Sequence, residues 1–383
     1  MRYRKLGKTG LSVSEIALGC SGFENNKERE KVCAEMHYAM ERGINFLDLF
    51  ASEPALRDSI GAAIAGRRDK IIIQGHIGSA LHDGQYQRTR DMDLTKEYFE
   101  DLLKRLGTDY VDIGMIHYVD SVEDWEGIKN GPFLEYILEL KQSKKILHIG
   151  MSSHNPVVSI EAIKSGMIDV LMFAVNPCYD MQPGDEDVEK IWADESYENP
   201  LRNQDAARKE LYELCESMGV GIDIMKIYGG GDLLTAEMSP FGKAFTPVQC
   251  IHYALTRPAA AAVMVGCKNT DEIDAALAYP DATDAERDYT GVLSGMDKFT
   301  FSGHCLYCGH CAPCPSGIDV AAVTKFLNIC LARDSVPDTE RGHYELLGHH
   351  AGECIACGHC EKNCPFDVKV IDNMAKAAEL FGF

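Results

Sequence analysis

Short apolar runs alternate with stretches of helical periodicity from residue 16 to residue 279, and no other feature restricts the fold as much. The apolar runs are 16–20, 45–49, 70–74, 110–116, 146–151, 170–175, 221–226 and 261–265. Such runs, rich in Ile, Val and Leu, read as strands buried on both faces, the condition of a parallel sheet. Helical stretches near 28–42, 55–65, 95–106, 132–143, 156–165, 205–218, 247–256 and 270–279 follow them in turn. Eight such units in about 270 residues match a closed (β/α)8 barrel, whereas a doubly wound open sheet would not need eight repeats. Ahead of them, residues 1–14 (MRYRKLGKTGLSVS) read as a hairpin turning at Lys8-Thr9-Gly10.

A barrel of this kind builds its site at the carboxyl ends of its strands. Two long connections leave from there, 82–92 and 176–204, and both are expected to act as lids. Asp48, His76, His117, His154, Asn155, Asn176 and Lys226 all fall at or just past strand ends. A single buried histidine is more often a hydrogen-bonded core residue, but three beside an aspartate point to chemistry. An imidazole titrating near pH ~6.5 can give or take a proton at neutral pH, a role open to His117 or His76. Imidazole plus carboxylate is also an ordinary metal shell, although no HxxxH spacing accompanies it.

The last eighty or so residues carry different chemistry. Cys305-x2-Cys308-x2-Cys311-x2-Cys314-Pro315 is followed by Cys354-x2-Cys357-x2-Cys360-x3-Cys364-Pro365. Three thiolates two residues apart can wrap a cuboidal iron–sulfur cluster from one loop, and the fourth, before a proline, reaches away from it. Structural zinc usually draws CxxC pairs from separate loops, so the doubled triplet favours two 4Fe–4S clusters. The runs resemble those of two-cluster ferredoxins, where the fourth cysteine ligates the other cluster. That resemblance implies one cluster on Cys305, Cys308, Cys311 and Cys364, and a second on Cys354, Cys357, Cys360 and Cys314. Only Ala312 and Pro313 precede Cys314, where the common run has three residues, so the assignment of Cys314 stays open. Segments 319–331 and 337–348 look helical, which favours a mainly helical ferredoxin-type domain. The expected organisation is a barrel over 1–285, a linker over 286–300 and the cluster domain over 301–383.

Fifteen cysteines in a chain with no secretory pattern argue for a reducing, cytoplasmic setting and metal ligation, not disulfides. The seven outside the tail motifs (Cys20, Cys33, Cys178, Cys215, Cys250, Cys267 and Cys330) read as core residues. A formal charge of −21 argues against nucleic acid or an anionic membrane as partner. No apolar run approaches the ~20 residues that span a bilayer.

Residues 1 to about 280 resemble the aldo/keto reductases, through YRKLGKTGLSVSEIALG, ERGINFLD, GRRDKIII, LLKRLGTDYVDIGMIH, ILHIGMSS and VMVGCKNTDEI. The whole chain resembles the branch of that family fused to a C-terminal 4Fe–4S domain. The resemblance implies hydride transfer between NADPH and a carbonyl by an Asp–Tyr–Lys–His set. Asp48 matches the aspartate and His117 the histidine, while His76 stands in the place of the lysine. No tyrosine follows Asp48 at the family's spacing. In the cofactor pocket, Ser152-Ser153 replaces a Ser-Asn pair ahead of Asn176, and Met172 and Met225 stand for a glutamine and a stacking tyrosine. Gly266, Lys268 and Asn269 keep the adenine end, with Lys268 placed to meet a 2′-phosphate.

Clusters pass single electrons and nicotinamide passes a hydride, so joining them calls for a flavin or another two-electron relay. The leading expectation is an oxygen-sensitive oxidoreductase acting on a small organic substrate. Its clusters would exchange electrons with a ferredoxin or flavoprotein partner, and NADP(H) or a flavin would occupy the barrel. Two alternatives stand beside it: an NADPH-dependent carbonyl reductase with structural clusters, and a non-catalytic electron-transfer subunit on a degenerate barrel.

Overall fold

The computed structural model describes residues 1–23, 28–82, 85–182, 184, 201–202, 204–293, 299–300, 303, 305, 307, 311–333, 335–364 and 366–383. Eight parallel strands close into a barrel in chain order: β1 (Ile16–Gly19), β2 (Phe46–Leu49), β3 (Ile72–Ile77), β4 (Val111–Ile116), β5 (Ile146–Ser153), β6 (Val170–Ala174), β7 (Gly221–Met225) and β8 (Ala260–Val265). Each is followed by its helix: α1 (Arg29–Glu41), α2 (Pro54–Ile64), α3 (Met92–Leu106), α4 (Pro132–Gln142), α5 (Pro156–Lys164), α6 (Ala206–Met218), α7 (Pro247–Leu255) and α8 (Thr270–Leu277). The expected (β/α)8 architecture is therefore the one observed. β3 and β5 run further towards the mouth than their apolar runs suggest, because His76, Ser152 and Ser153 continue the pleat as buried polar residues.

The inward-facing residues explain the closure. Ala17, Phe46, Ile113, Met115, Val170, Met172, Ala262 and Met264 fill the barrel's interior as one apolar cluster. Leu6 and Val13 join that cluster from the N-terminal hairpin, whose strands Tyr3–Lys5 and Ser12–Ser14 pair antiparallel. The Lys8 N–H donates to the Gly219 carbonyl (2.7 Å) at the end of α6, so the hairpin plugs the amino end of the barrel. Local signals fix the helix starts at the other end. Asp91, Asn155, Asp205 and Asn269 cap α3, α5, α6 and α8 with side-chain oxygens, and Thr246 and Gln249 form a capping box on α7.

Three elements lie outside the simple alternation. A helix, Val122–Lys129, precedes α4 and is capped by Ser121. A second antiparallel hairpin, Ser79–His82 with Gln85–Arg88, occupies the connection expected as an irregular lid after β3. Leu201–Arg202, within the long connection after β6, pairs in parallel with Phe299–Thr300. Most of that connection, and part of the expected linker, lies outside the described residues.

The C-terminal segment contributes helices Val320–Arg333, Asp338–Glu345, His359–Asn363 and Val370–Phe381. Val320–Arg333 packs on α6, and Val323, Leu327 and Cys330 belong to the same continuous apolar core as the barrel helices. Of the seven cysteines expected in the core, Cys33 is half-buried and the others are buried. No described helix is long and apolar enough to cross a membrane.

α2 and α3 cross with almost no separation at Gly61, where an added Cβ would stand 2.2 Å from the Arg105 carbonyl oxygen. Backbone cannot retreat as a side chain can, so Gly61→Ala is expected to destabilise the fold by about 1–3 kcal/mol. Gly127, in the helix Val122–Lys129, faces open space. Gly127→Ala should instead be neutral or stabilising by up to about 1 kcal/mol. Denaturant melts of both variants check the contrast in sign.

Candidate active site at the barrel mouth

The upper interior of the barrel turns polar at one level. Asp48 of β2 and Gln74 of β3 are register partners, and Asp223 reaches the same layer from β7. The Gln74 amide donates to Asp48 Oδ1 (2.9 Å) and to Asp223 Oδ2 (3.0 Å). Burial holds the Asp223 carboxyl well above the usual carboxylate range, and the nearby charge of Asp48 adds to the effect against the Gln74 hydrogen bond. The shift favours the protonated form of Asp223 beside Asp48.

From Asp48 a chain of hydrogen bonds climbs outward. Asp48 Oδ1 meets His76 Nε2 at 2.9 Å, His76 Nδ1 meets His117 Nδ1 at 2.6 Å, and His117 Nε2 meets the Tyr86 hydroxyl at 2.5 Å. Burial pushes the His117 pKa well below the ordinary histidine range, with His76 and Arg90 adding to the depression. With both imidazoles neutral and Asp48 as a pure acceptor, the donors and acceptors fall into one order. His76 Nε2–H donates to Asp48, His117 Nδ1–H donates to His76 Nδ1, and the Tyr86 hydroxyl donates to His117 Nε2. Phe50 walls the chain, stacked on His117 (6.0 Å, 4°) and edge-on to Tyr86 (5.9 Å, 90°).

Tyr86 was not among the residues read from the sequence. It comes from the hairpin after β3, opposite Leu81, whose carbonyl accepts a hydrogen bond from Tyr98. The Asp83-Gly84 pair in HDGQYQR is the short-range signal that could have revealed the hairpin.

A second carboxylate–imidazole pair stands at the end of β5. Asp120 accepts from His154 Nδ1 (2.9 Å), from the His154 N–H (2.7 Å) and from the Ser153 hydroxyl (2.9 Å). Buried Arg208 ties this region together by donating to the carbonyls of His154 (3.2 Å) and Ala174 (3.0 Å). Lys226 follows β7 in a left-handed conformation (φ 62°) with an exposed side chain, and partial desolvation lowers its pKa.

The residues nominated for a dinucleotide all lie around the mouth, but several already have local partners. The Ser152 hydroxyl accepts from the Tyr118 N–H (2.8 Å), and the Ser153 hydroxyl is bound to Asp120. Asn176 caps Pro177–Asp180 and donates to the Lys226 carbonyl (2.8 Å), while Asn269 caps α8. Gly266 and Lys268 are exposed between β8 and α8.

In the C-terminal segment, Cys311 and Cys314 of the first run and Cys354, Cys357 and Cys360 of the second line one small shared cavity of about 20 Å³. The Cys354-Ile355-Ala356-Cys357 loop bends through Ala356 (φ 52°), whose N–H donates to Cys354 Sγ at 3.4 Å. Cys305 and Cys364 are half-buried nearby in the chain, and Cys308 lies outside the described residues. Among the described residues, no three His, Cys, Asp or Glu side chains converge tightly enough to hold a single metal ion.

The raised pKa of Asp223 has a thermodynamic consequence. An aspartate in the unfolded chain ionises near pH ~3.9, so above that pH the native state binds the extra proton and loses stability as pH rises. Asp223→Asn removes this penalty while keeping an acceptor for Gln74. The variant should melt at a higher temperature than the wild type at pH 8, with the gap narrowing towards pH 5. Thermal melts across that range read it directly.

Residues 15–247 match the aldo/keto reductase family. The chain is 28% identical over 289 residues to YqkF, an uncharacterized oxidoreductase of Bacillus subtilis (strain 168), spanning 71% of this chain and 89% of that one. It is also 28% identical over 165 residues to the L-glyceraldehyde 3-phosphate reductase of Escherichia coli (strain K12), spanning 41% of this chain and 46% of the relative. The fold is similar to that of the holo form of aldo-keto reductase AKR11C1 from Bacillus halodurans. That match has a TM-score of 0.58 and 24% identity, covering 75% of this chain and 94% of the other. The barrel, the strand-end aspartate and histidines and the matched span together make this chain a member of the aldo/keto reductase family.

Proposed function

We propose that the protein is an iron–sulfur oxidoreductase whose barrel interconverts a carbonyl and an alcohol on a small organic substrate. In this reading, electrons pass through two 4Fe–4S clusters in a cytoplasmic setting. The observation that carries it is the presence, in one chain, of a proton path at the mouth and a cavity lined by cysteines of both runs. The donor set fits the clusters: soft thiolates, a backbone N–H on one sulfur, and an apolar surround from Ile318, Val320 and Met374. Cys354, Cys357, Cys360 and Cys314 would hold one cluster, and Cys305, Cys308, Cys311 and Cys364 the other. The clusters would supply single electrons to or from a redox protein partner.

At the mouth, the residues handle the proton. Asp48 fixes the ring of His76, His76 fixes that of His117, and the aromatic wall of Phe50 keeps water from the chain. A nicotinamide or flavin bound there would supply the hydride. Lys226 and Lys268 are the nominated side chains best placed to meet it, since Ser152, Ser153, Asn176 and Asn269 have local partners. The likeness to a relative named as an L-glyceraldehyde 3-phosphate reductase favours a second reading, direct NADPH-dependent reduction with structural clusters.

Anaerobic purification tests both. The proposal expects about eight iron atoms per chain, and about four in a Cys354→Ser, Cys357→Ser variant. It further expects that chemical reduction of the clusters alters a bound cofactor or substrate. Protein without iron, or reduced clusters that leave every bound species unchanged, would overturn it. NADPH oxidation by a simple aldehyde, with cluster absorption unaffected, would favour the second reading.

A further inference from the structure

We propose that Tyr86 is the residue that exchanges a proton with the substrate's oxygen. The inference rests on the carbonyl–alcohol reading above. Its ground is which atoms of the chain remain accessible. His76 and His117 are 3% and 5% exposed, and all four of their ring nitrogens are engaged within the chain. Asp48 is 3% exposed and carries His76 and Gln74. Neither imidazole offers a nitrogen to a substrate. The outer end of the chain is a phenol on a residue that is 49% exposed.

The hairpin holds that phenol in position. The Thr89 N–H donates to the Gly78 carbonyl (2.8 Å) at the hairpin's base, and Arg88 donates to the Tyr118 carbonyl (3.2 Å) beyond it. Arg88 and Tyr86, two apart on one strand, share a face, and the Arg88 guanidinium lies over the Tyr118 ring, 3.6 Å from Asp124. A phenol placed this way meets the need that the sequence leaves unfilled after Asp48.

The hydrogen-bond order defines the step in each direction. In oxidation, the substrate hydroxyl gives its proton to Tyr86 Oη while the Tyr86 proton moves to His117 Nε2. The substrate carbon gives up its hydride to an acceptor of the nicotinamide or flavin class, leaving the carbonyl. The new imidazolium is stabilised through His76 by Asp48. In reduction, hydride from a donor of the same class adds to the carbonyl carbon. Tyr86 protonates the oxygen and regains its proton from His117 Nε2–H. Reduction therefore requires protonated His117 and slows as pH rises, whereas oxidation accelerates.

Tyr86→Phe in the full-length holoprotein is the test, with a panel of small aldehydes and the matching alcohols. Expected are a kcat lower by about a hundredfold or more, little change in KM, and loss of the opposed pH profiles. A kcat within about twofold of wild type would overturn the assignment and leave the carbonyl–alcohol reading standing, with another proton donor. Histidine ¹⁵N NMR gives a readout independent of turnover. The substitution should shift the His117 Nε2 resonance, and a smaller shift should reach His76. Unchanged imidazole resonances would overturn the proposal whether or not any substrate is turned over.

Discussion

The mouth of this barrel depends on one amide shared between two carboxyl groups. Gln74 donates both of its hydrogens, one to Asp48 and one to Asp223, inside a barrel otherwise filled with Phe46, Ile113, Met115 and Met172. Two charged carboxylates cannot stand side by side in such a medium, because each desolvation penalty would add to their repulsion. The conflict is eased by a shift that favours the protonated form of Asp223, while Asp48 meets His76. Every ring orientation above follows from that acceptor. A carboxylate accepts only, so His76 presents N–H to it, and with both rings neutral the order of donors runs on to Tyr86.

In the proposed function this arrangement would do the work of a lysine by other means. A lysine beside a tyrosine lowers its pKa through a point charge, whereas hydrogen-bonded imidazoles offer a route along which a proton can move. Burial raises the pKa of the Tyr86 hydroxyl, with Arg88 and Arg90 acting against it. A phenol that holds its proton at rest needs an acceptor to release it, and His117 Nε2 is at hydrogen-bond distance.

Much of this was legible from sequence, and the failures share a cause. The eight strands announced themselves because parallel strands buried on both faces must be apolar throughout. Asp48, His76 and His117 were legible because a polar residue at the end of such a run has few structural reasons to be there. Gln74 and Asp223 have the same signature one step deeper, in IIIQGHIG and GIDIM, but a single polar residue within a run does not reveal its partners across the barrel. Asn176 and Asn269 show a structural role not assigned from sequence. Helices begin where strands end in this fold, so an asparagine at the mouth serves as a helix cap as readily as a ligand contact, and both are caps here. Tyr86 was hidden because its position depends on a hairpin folding back over the mouth, a tertiary event that a polar stretch of eleven residues does not advertise.

The C-terminal segment is joined to the barrel at two levels, and this restricts how the halves can communicate. Glu216, near the end of α6, lies 3.5 Å from Lys325, and its carboxylate also accepts from the Ala259 N–H (2.5 Å) just before β8. These contacts lie towards the amino ends of the strands, the face that stabilises barrels of this type. The pairing of Leu201–Arg202 with Phe299–Thr300 instead involves the connection that leaves the mouth after β6. One attachment is an anchor, through apolar packing of Val320–Arg333 on α6 and the Glu216 contacts. The other reaches the segment through a loop that starts beside Asn176 and Lys226. A change of state among the cysteines would thus meet a rigid wall at the first attachment. At the second it would meet a two-residue strand pair, which has few hydrogen bonds to lose, so a coupling between segment and mouth would be expressed there first.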